Sequence, residues 1–327
     1  MLRVLLSSLF TLLLMSSIAF AQTNTAKSSK PIRALIIDGQ NNHDAWPKTT
    51  IMMKKYLEDT KRYTVDVART QTTWKGESLL SKYPLGDGVV REATKAAVPD
   101  PDFKPNFAKY DVVISNFGFG AAAWPDITNK NLEAFVSGGG GLVIIHAADN
   151  SFGEWDEYNK MIGLGGWGNR TEKNGPYVYL DANEKMVTDT SPGKGGSHGQ
   201  QHEFSIVIRD AEHPITNGLP KTWLHTKDEL YDRLRGPAQN MKILATAFSS
   251  KSQGGTDRHE PMIMTIDYGK GRVFHTPMGH ADYSMECVGY ITVLLRGTDW
   301  AATGSVVDSA IPSDFPTADK SSQRKFD

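Results

Sequence analysis

Residues 138–150 read GGGGLVIIHAADN. The glycines stop the helix that precedes them. LVII is apolar enough for a strand buried on both faces, and it ends at once in His146 and a small-residue turn, Ala147-Ala148. In many α/β hydrolytic enzymes the turn after such a strand presents a nucleophilic Ser or Cys. Here a histidine holds that place. The glycine run does not suit a phosphate cradle, because it precedes a strand, whereas a cradle follows one and opens a helix. No nucleotide cofactor is therefore expected.

The same alternation extends outward from this stretch. IRALII at 32–37 and DVVISN at 111–116 read as buried strands, and YTVDVA at 63–68 alternates as a strand does. TTIMMKKYLED has helical spacing behind Pro47, which suits a first turn, and NKNLEAFVSGGGG is a helix closed by glycine. Residues 70–108 read as a long loop with room for one short helix. Short strand–helix units predict an α/β fold, a parallel sheet with helices on both faces. Ligands gather beyond the carboxyl ends of such strands. That rule selects three loops, 38–46, 116–124 and 146–155. After residue 155 the pattern changes to a glycine-rich stretch at 163–200 and then to strands at FSIVIRD, MKILATAF, PMIMTIDYG and RVFHTP, read as a β-rich insertion. SMECVGYITVLLRGTDW is a final amphipathic helix.

The 327-residue chain opens with MLR, an apolar run and Ala19-Phe20-Ala21, the pattern of a signal peptide cut after Ala21. Residues 1–21 are expected to be that signal, 22–30 a flexible leader, 31–302 one domain and 303–327 a disordered tail. Export to the periplasm or beyond is expected, with no membrane attachment after cleavage. A formal net charge of −1 gives no basic footprint for nucleic acid. Cys287 is the only cysteine, so no intrachain disulfide forms; it reads as a small buried apolar residue on the last helix.

Among nine histidines, His43 and His146 fall in loops that the sheet rule brings together, and His280 follows the strand at RVFHTP. Imidazole titrates near neutrality and is the commonest metal ligand. HTKDELYDRL supplies Asp228 and Glu229; Glu229 pointing inward would be a general acid or base. Asp44 and Asp149 each follow a loop histidine and could fix its tautomer. No G-x-S-x-G, H-E-x-x-H or C-x-x-C is present, so acyl-enzyme chemistry and the short zinc motifs are not expected. A divalent metal such as zinc would find acceptable donors in His43, His146, His280 and a carboxylate. Trp46, Trp124 and Trp155 end the three rim loops, where flat aromatic faces suit a sugar ring.

The ordered set ALIIDGQNNHDAW, YDVVISNFG, FVSGGGGLVIIHAADN, EHPITNGLP, HTKDELY, ILATA and PMIMTIDYGKGRVFHTPMGH resembles the ThuA-like (trehalose utilisation) family over most of residues 32–300. The resemblance implies a flavodoxin-like sheet of the class I glutamine amidotransferase kind, with VIIHAA where amidotransferases carry their catalytic Cys. It implies polar site positions at His43, Asp44, His146, Asp228, Glu229 and His280, and a role with disaccharides or keto-sugars. The expected protein is an exported carbohydrate-active enzyme, a hydrolase, lyase or isomerase. In it His146, Glu229 and His280 are catalytic, and His43, Asp44, Trp46, Asp149, Trp155 and Asp228 bind substrate. The alternative is a non-catalytic carbohydrate-binding protein on the same scaffold.

Overall fold

A computed structural model describes residues 30–326. The expected signal peptide and most of the leader lie outside the described residues. The first half contains β1 (Ile32–Gln40), α1 (Trp46–Asp59), β2 (Tyr63–Trp74), α2 (Glu77–Leu80), β3 (Glu92–Thr94), β4 (Val112–Ser115), α3 (Asp126–Ser137), β5 (Gly141–Ile145) and α4 (Asp156–Ile162). Strands then dominate: β6 (Tyr177–Leu180), β7 (Met186–Asp189), β8 (Ser197–His198), β9 (His202–Ile208), β10 (Thr222–Asp228), β11 (Tyr231–Asp232), β12 (Met241–Ser249), β13 (Arg258–Tyr268) and β14 (Gly271–Thr276). Helices α5 (Asp282–Met285) and α6 (Val288–Thr303) close the order.

One sheet runs β10-β9-β12-β13-β14-β5-β4-β1-β2-β3. The pairs from β14 through β5, β4, β1 and β2 to β3 are parallel, and those from β14 to β10 are antiparallel. The β-rich part is thus a continuation of the parallel half rather than a separate layer. The stretch at 70–108 is also more ordered than its sequence suggested: β2 runs on to Trp74, and β3 pairs with it.

Alternation along the parallel strands sorts side chains to the two faces. Ala34, Ile36, Ile114, Val143 and Ile145 pack under α1 and α6, while Leu35, Ile37, Val113, Leu142 and Ile144 pack under α3 and α4. Both faces are covered, which is why these strands read as unbroken apolar runs. The glycines of the opening stretch work by conformation and clearance. Gly139 has φ +122°, and a Cβ on Gly141 would lie 2.5 Å from the carbonyl oxygen of Ala301 in α6.

The segment after Thr303 corrects the expectation of a disordered tail. Its backbone bonds to β10 (Leu224 N to Thr317 O, 2.8 Å) and to the start of α6 (Val288 N to Ser322 O, 2.9 Å). Phe315 packs on Trp223, and Phe326 on Tyr56. A polar composition hid two aromatic anchors, and β10 is an edge strand whose free N–H groups need partners.

Candidate functional site

The loops that follow β1, β5, β10 and β14 meet at one place. His146 is the first residue after β5 and has φ +45°, a left-handed conformation that is costly for a residue with a Cβ. It turns the chain into the tight 3₁₀ turn His146–Asn150. Its Nδ1 lies 2.7 Å from the Pro277 carbonyl, which can only accept, so Nδ1 carries the proton and Nε2 presents a lone pair. The Tyr231 hydroxyl donates to that lone pair at 2.8 Å. His43, in the loop after β1, is fixed likewise: Asn41 Oδ1 accepts from its backbone N at 2.9 Å and lies 3.1 Å from Nδ1. Asn41 is itself pinned by donating to the carbonyls of Asn116 and Phe117.

Glu229 and His280 arrive from the antiparallel half. Asp228, at the end of β10, receives the backbone N–H of Glu229 at 2.8 Å, of Gly279 at 2.8 Å and of His280 at 3.1 Å. Its remaining partner is His225 Nε2, at 2.8 Å. One buried carboxylate therefore ties the loop after β10 to the loop after β14. Glu229 Oε2 then lies 3.0 Å from His280 Nδ1, 3.7 Å from His146 Nε2 and 4.0 Å from His43 Nε2. Its Oε1 accepts from Gln201 Nε2 at 3.2 Å and lies 3.8 Å from His198 Nε2. The three imidazoles pack edge to face, with centroids 4.6 to 5.3 Å apart.

One nitrogen from each of His43, His146 and His280 and one oxygen of Glu229 fall within 4.8 Å of one another. The electrostatics favour lone pairs over protons. Burial, with the other two imidazoles, pushes His43 down to about 2, and burial lowers His146 as well. Burial works against ionising Glu229, but His280, with His146, outweighs it and holds the carboxyl at about 2. Near neutral pH this is two neutral imidazoles and an anion facing one point, with His280 beside them. His280 Nδ1, although 3.0 Å from Glu229 Oε2, is not aligned with it as a hydrogen bond. These features fit a divalent cation: the lone pairs of His43 and His146 set by second partners, with a carboxylate beside them. Holding one requires the Tyr231 hydroxyl proton to turn away from His146.

The structure brings together His43, His146, Glu229 and His280, and separates the other candidates from them. Asp228 and Asp149 are both 0% exposed, so neither meets substrate. Asp228 positions two loops, and Asp149 lies 3.1 Å from the buried His275 Nε2 rather than on His146. Trp46 is also a correction: it is 1% exposed, donates to the carbonyls of Trp74 and Lys75, and lies under the Arg69 guanidinium as core. Asp44 is exposed and receives the Gly76 N–H at 3.3 Å, outside the cluster. Trp155 is half-buried and stacked on Tyr158, and it lines a separate cleft. Tyr231, Gln201 and Asn41 were missed. Tyr231 had one signal, being two residues beyond Glu229 in the same motif.

The fold and this rim define a class: an amidotransferase-like α/β sheet whose strand-end turn carries histidine in place of a thiol nucleophile. The ThuA family, described as trehalose utilisation, matches residues 33–301, and the chain belongs to it. A crystal structure of a ThuA-like protein from Parabacteroides merdae is 42% identical and superposes with a TM-score of 0.78, covering 90% of this chain and 98% of that one. A ThuA-like protein from Bacteroides uniformis is more distant, at 19% identity and a TM-score of 0.48, covering 88% and 96% of the two chains. No curated protein matches the chain. The family supports a sugar-related role.

Proposed function

We propose that this protein is an exported enzyme that acts on a sugar or keto-sugar at the cluster of His43, His146, Glu229 and His280, with Glu229 as the proton acceptor and a divalent metal ion assisting. The observation that carries this reading is the convergence of those four side chains, from four separate segments, on one point at the carboxyl end of the parallel strands. The apolar leader in the sequence supports export, and the family's description supports a sugar. A cation held there would polarise a sugar carbonyl or hydroxyl oxygen. The three imidazoles hold donors in place, with the Pro277 carbonyl and Asn41 fixing the tautomers of His146 and His43. Glu229 is ionised, and its Oε1, which accepts from Gln201, is the oxygen that takes a proton from a sugar hydroxyl or from the carbon next to a keto group. Gln201, braced by the Tyr283 hydroxyl at 2.6 Å, keeps that oxygen aimed.

The test is metal analysis of protein purified without chelator or nickel affinity, together with turnover of disaccharides and their keto derivatives. The expected result is about one divalent ion per chain, lost in His280→Ala. Glu229→Gln should lower kcat by about 100-fold or more. Sugar binding with no turnover of any substrate would instead establish the binding-protein alternative. Full turnover by metal-free protein would remove the ion from the reading.

A further inference from the structure

The Tyr231 hydroxyl has two hydrogen-bond partners among the described residues, His146 and Asn150, and donor chemistry fixes both bonds. The Pro277 carbonyl makes His146 Nδ1 a donor at 2.7 Å, so Nε2 is a lone pair and takes the Tyr231 proton at 2.8 Å. The Tyr231 oxygen is then an acceptor, and the Asn150 atom facing it at 3.1 Å is Nδ2. Asn150 Oδ1 points the other way, buried and without a partner among the described residues. A buried amide oxygen left unpaired is uncommon and calls for a reason.

The reason lies in what His146 is asked to do. Its Nε2 has one lone pair and cannot serve a cation and Tyr231 at once. Giving that lone pair to a cation leaves the hydroxyl proton in need of another acceptor. His146 and Asn150 are 3% exposed and Tyr231 is 2% exposed, so bulk water does not reach it. Oε1 of Glu229 accepts from Gln201, and Oε2 faces the three histidines. Asn150 remains, already in contact and held by the same 3₁₀ turn that His146 begins. Half a turn of its amide exchanges Nδ2 and Oδ1, so that Oδ1 faces the Tyr231 oxygen and accepts the proton. The far position has no partner as it stands, so the exchange breaks no hydrogen bond there. Tyr231 keeps its proton throughout.

We propose that Tyr231 and Asn150 form a two-position latch on His146, and that the Asn150 amide sets how tightly the histidine cluster takes a divalent cation. In one position the amide donates to Tyr231, and Tyr231 closes the His146 lone pair. In the other the amide accepts from Tyr231, and the lone pair is open. The hydroxyl is paired in both, so the chain can fold first and load a cation afterwards. Tyr231 and Asn150 are positioning residues that act through His146. The inference rests on reading the cluster as a metal site, and it adds what governs loading.

Zinc titration of chelator-stripped protein, in competition with a chromophoric chelator, tests this in native protein, Tyr231→Phe, Asn150→Leu and the double variant. Tyr231→Phe keeps the ring and removes the competing proton, so it should bind zinc about tenfold more tightly. Asn150→Leu strands the Tyr231 proton once the lone pair is open, so it should bind about tenfold more weakly. With Tyr231→Phe already in place there is no proton to accept, and adding Asn150→Leu should change the affinity by less than about twofold. That coupling is the readout, because lost packing at residue 150 would weaken both backgrounds alike. Asn150→Ala makes the same comparison with a smaller side chain. Equal or weaker zinc binding by Tyr231→Phe would overturn the proposal, whether or not the Asn150 variants fold. Equal weakening by Asn150→Leu in both backgrounds would do the same. Native protein that takes up no divalent ion sinks the metal reading and the latch together. Zinc bound by native protein and lost in His280→Ala, with residues 150 and 231 uncoupled, sinks the latch alone.

Discussion

Two neighbouring acids show how little residue type says about role. Asp228 and Glu229 are consecutive, yet one is sealed beneath the site and the other faces the histidines, because successive side chains at a strand end point to opposite sides. HTKDELY made both candidates; only burial separates them. A third acid lies outside this chemistry. Glu260 on β13 is 2% exposed, and burial, with the nearby Asp232 charge, raises its carboxyl from 4.5 to about 7. The folded chain therefore keeps a proton that the unfolded chain gives up. The stability this group contributes is full below pH 4.5 and is lost as pH rises to about 7. Glu260→Gln, which cannot ionise, should be more stable than native protein at pH 8 by up to about 3 kcal/mol and nearly equal to it at pH 4.5. Urea midpoints at the two pH values measure this; equal differences at both would show that Glu260 is ionised in the fold.

At the scale of elements, the central strands were legible and the last segment was not. β5 and its glycine stop, β1, β4 and α3 stand where apolar runs and helix breakers put them. Their burial on both faces leaves a continuous signal. The C-terminal segment has no period, because it binds through a few backbone hydrogen bonds and two aromatic side chains. Removing residues 312–327 should uncover the edge of β10 and expose the faces under Phe315 and Phe326. A loss of about 2–4 kcal/mol is expected from the lost apolar burial. Native-like stability of the truncated protein would return the segment to the status of a loose tail.

Over the whole molecule, the candidate metal ligands come from residues 43, 146, 229 and 280, so a cation would bridge both halves of the sheet. Anything that binds the folded state alone stabilises it by mass action. Zinc or another divalent ion at 100 times its Kd should raise stability by about 2.7 kcal/mol, read as a Tm increase that grows with ion concentration and is reversed by chelator. His43→Ala should abolish the increase. If it survives alanine at all three histidines, the ion binds elsewhere.

The sequence by itself determined the α/β class, the parallel core strands, the family and three histidines plus Glu229 as the residues to watch. Those follow from short-range pattern: apolar period, glycine stops and polar residues at strand ends. Only the tertiary structure decided that the antiparallel strands extend the same sheet, that Asp228 braces two loops while Trp46 and Asp149 serve the core, and that Tyr231 and Gln201 join the site. Each of these depends on pairing between segments far apart in the chain, where local propensity carries no information and burial, register and hydrogen-bond partners choose among otherwise equal side chains.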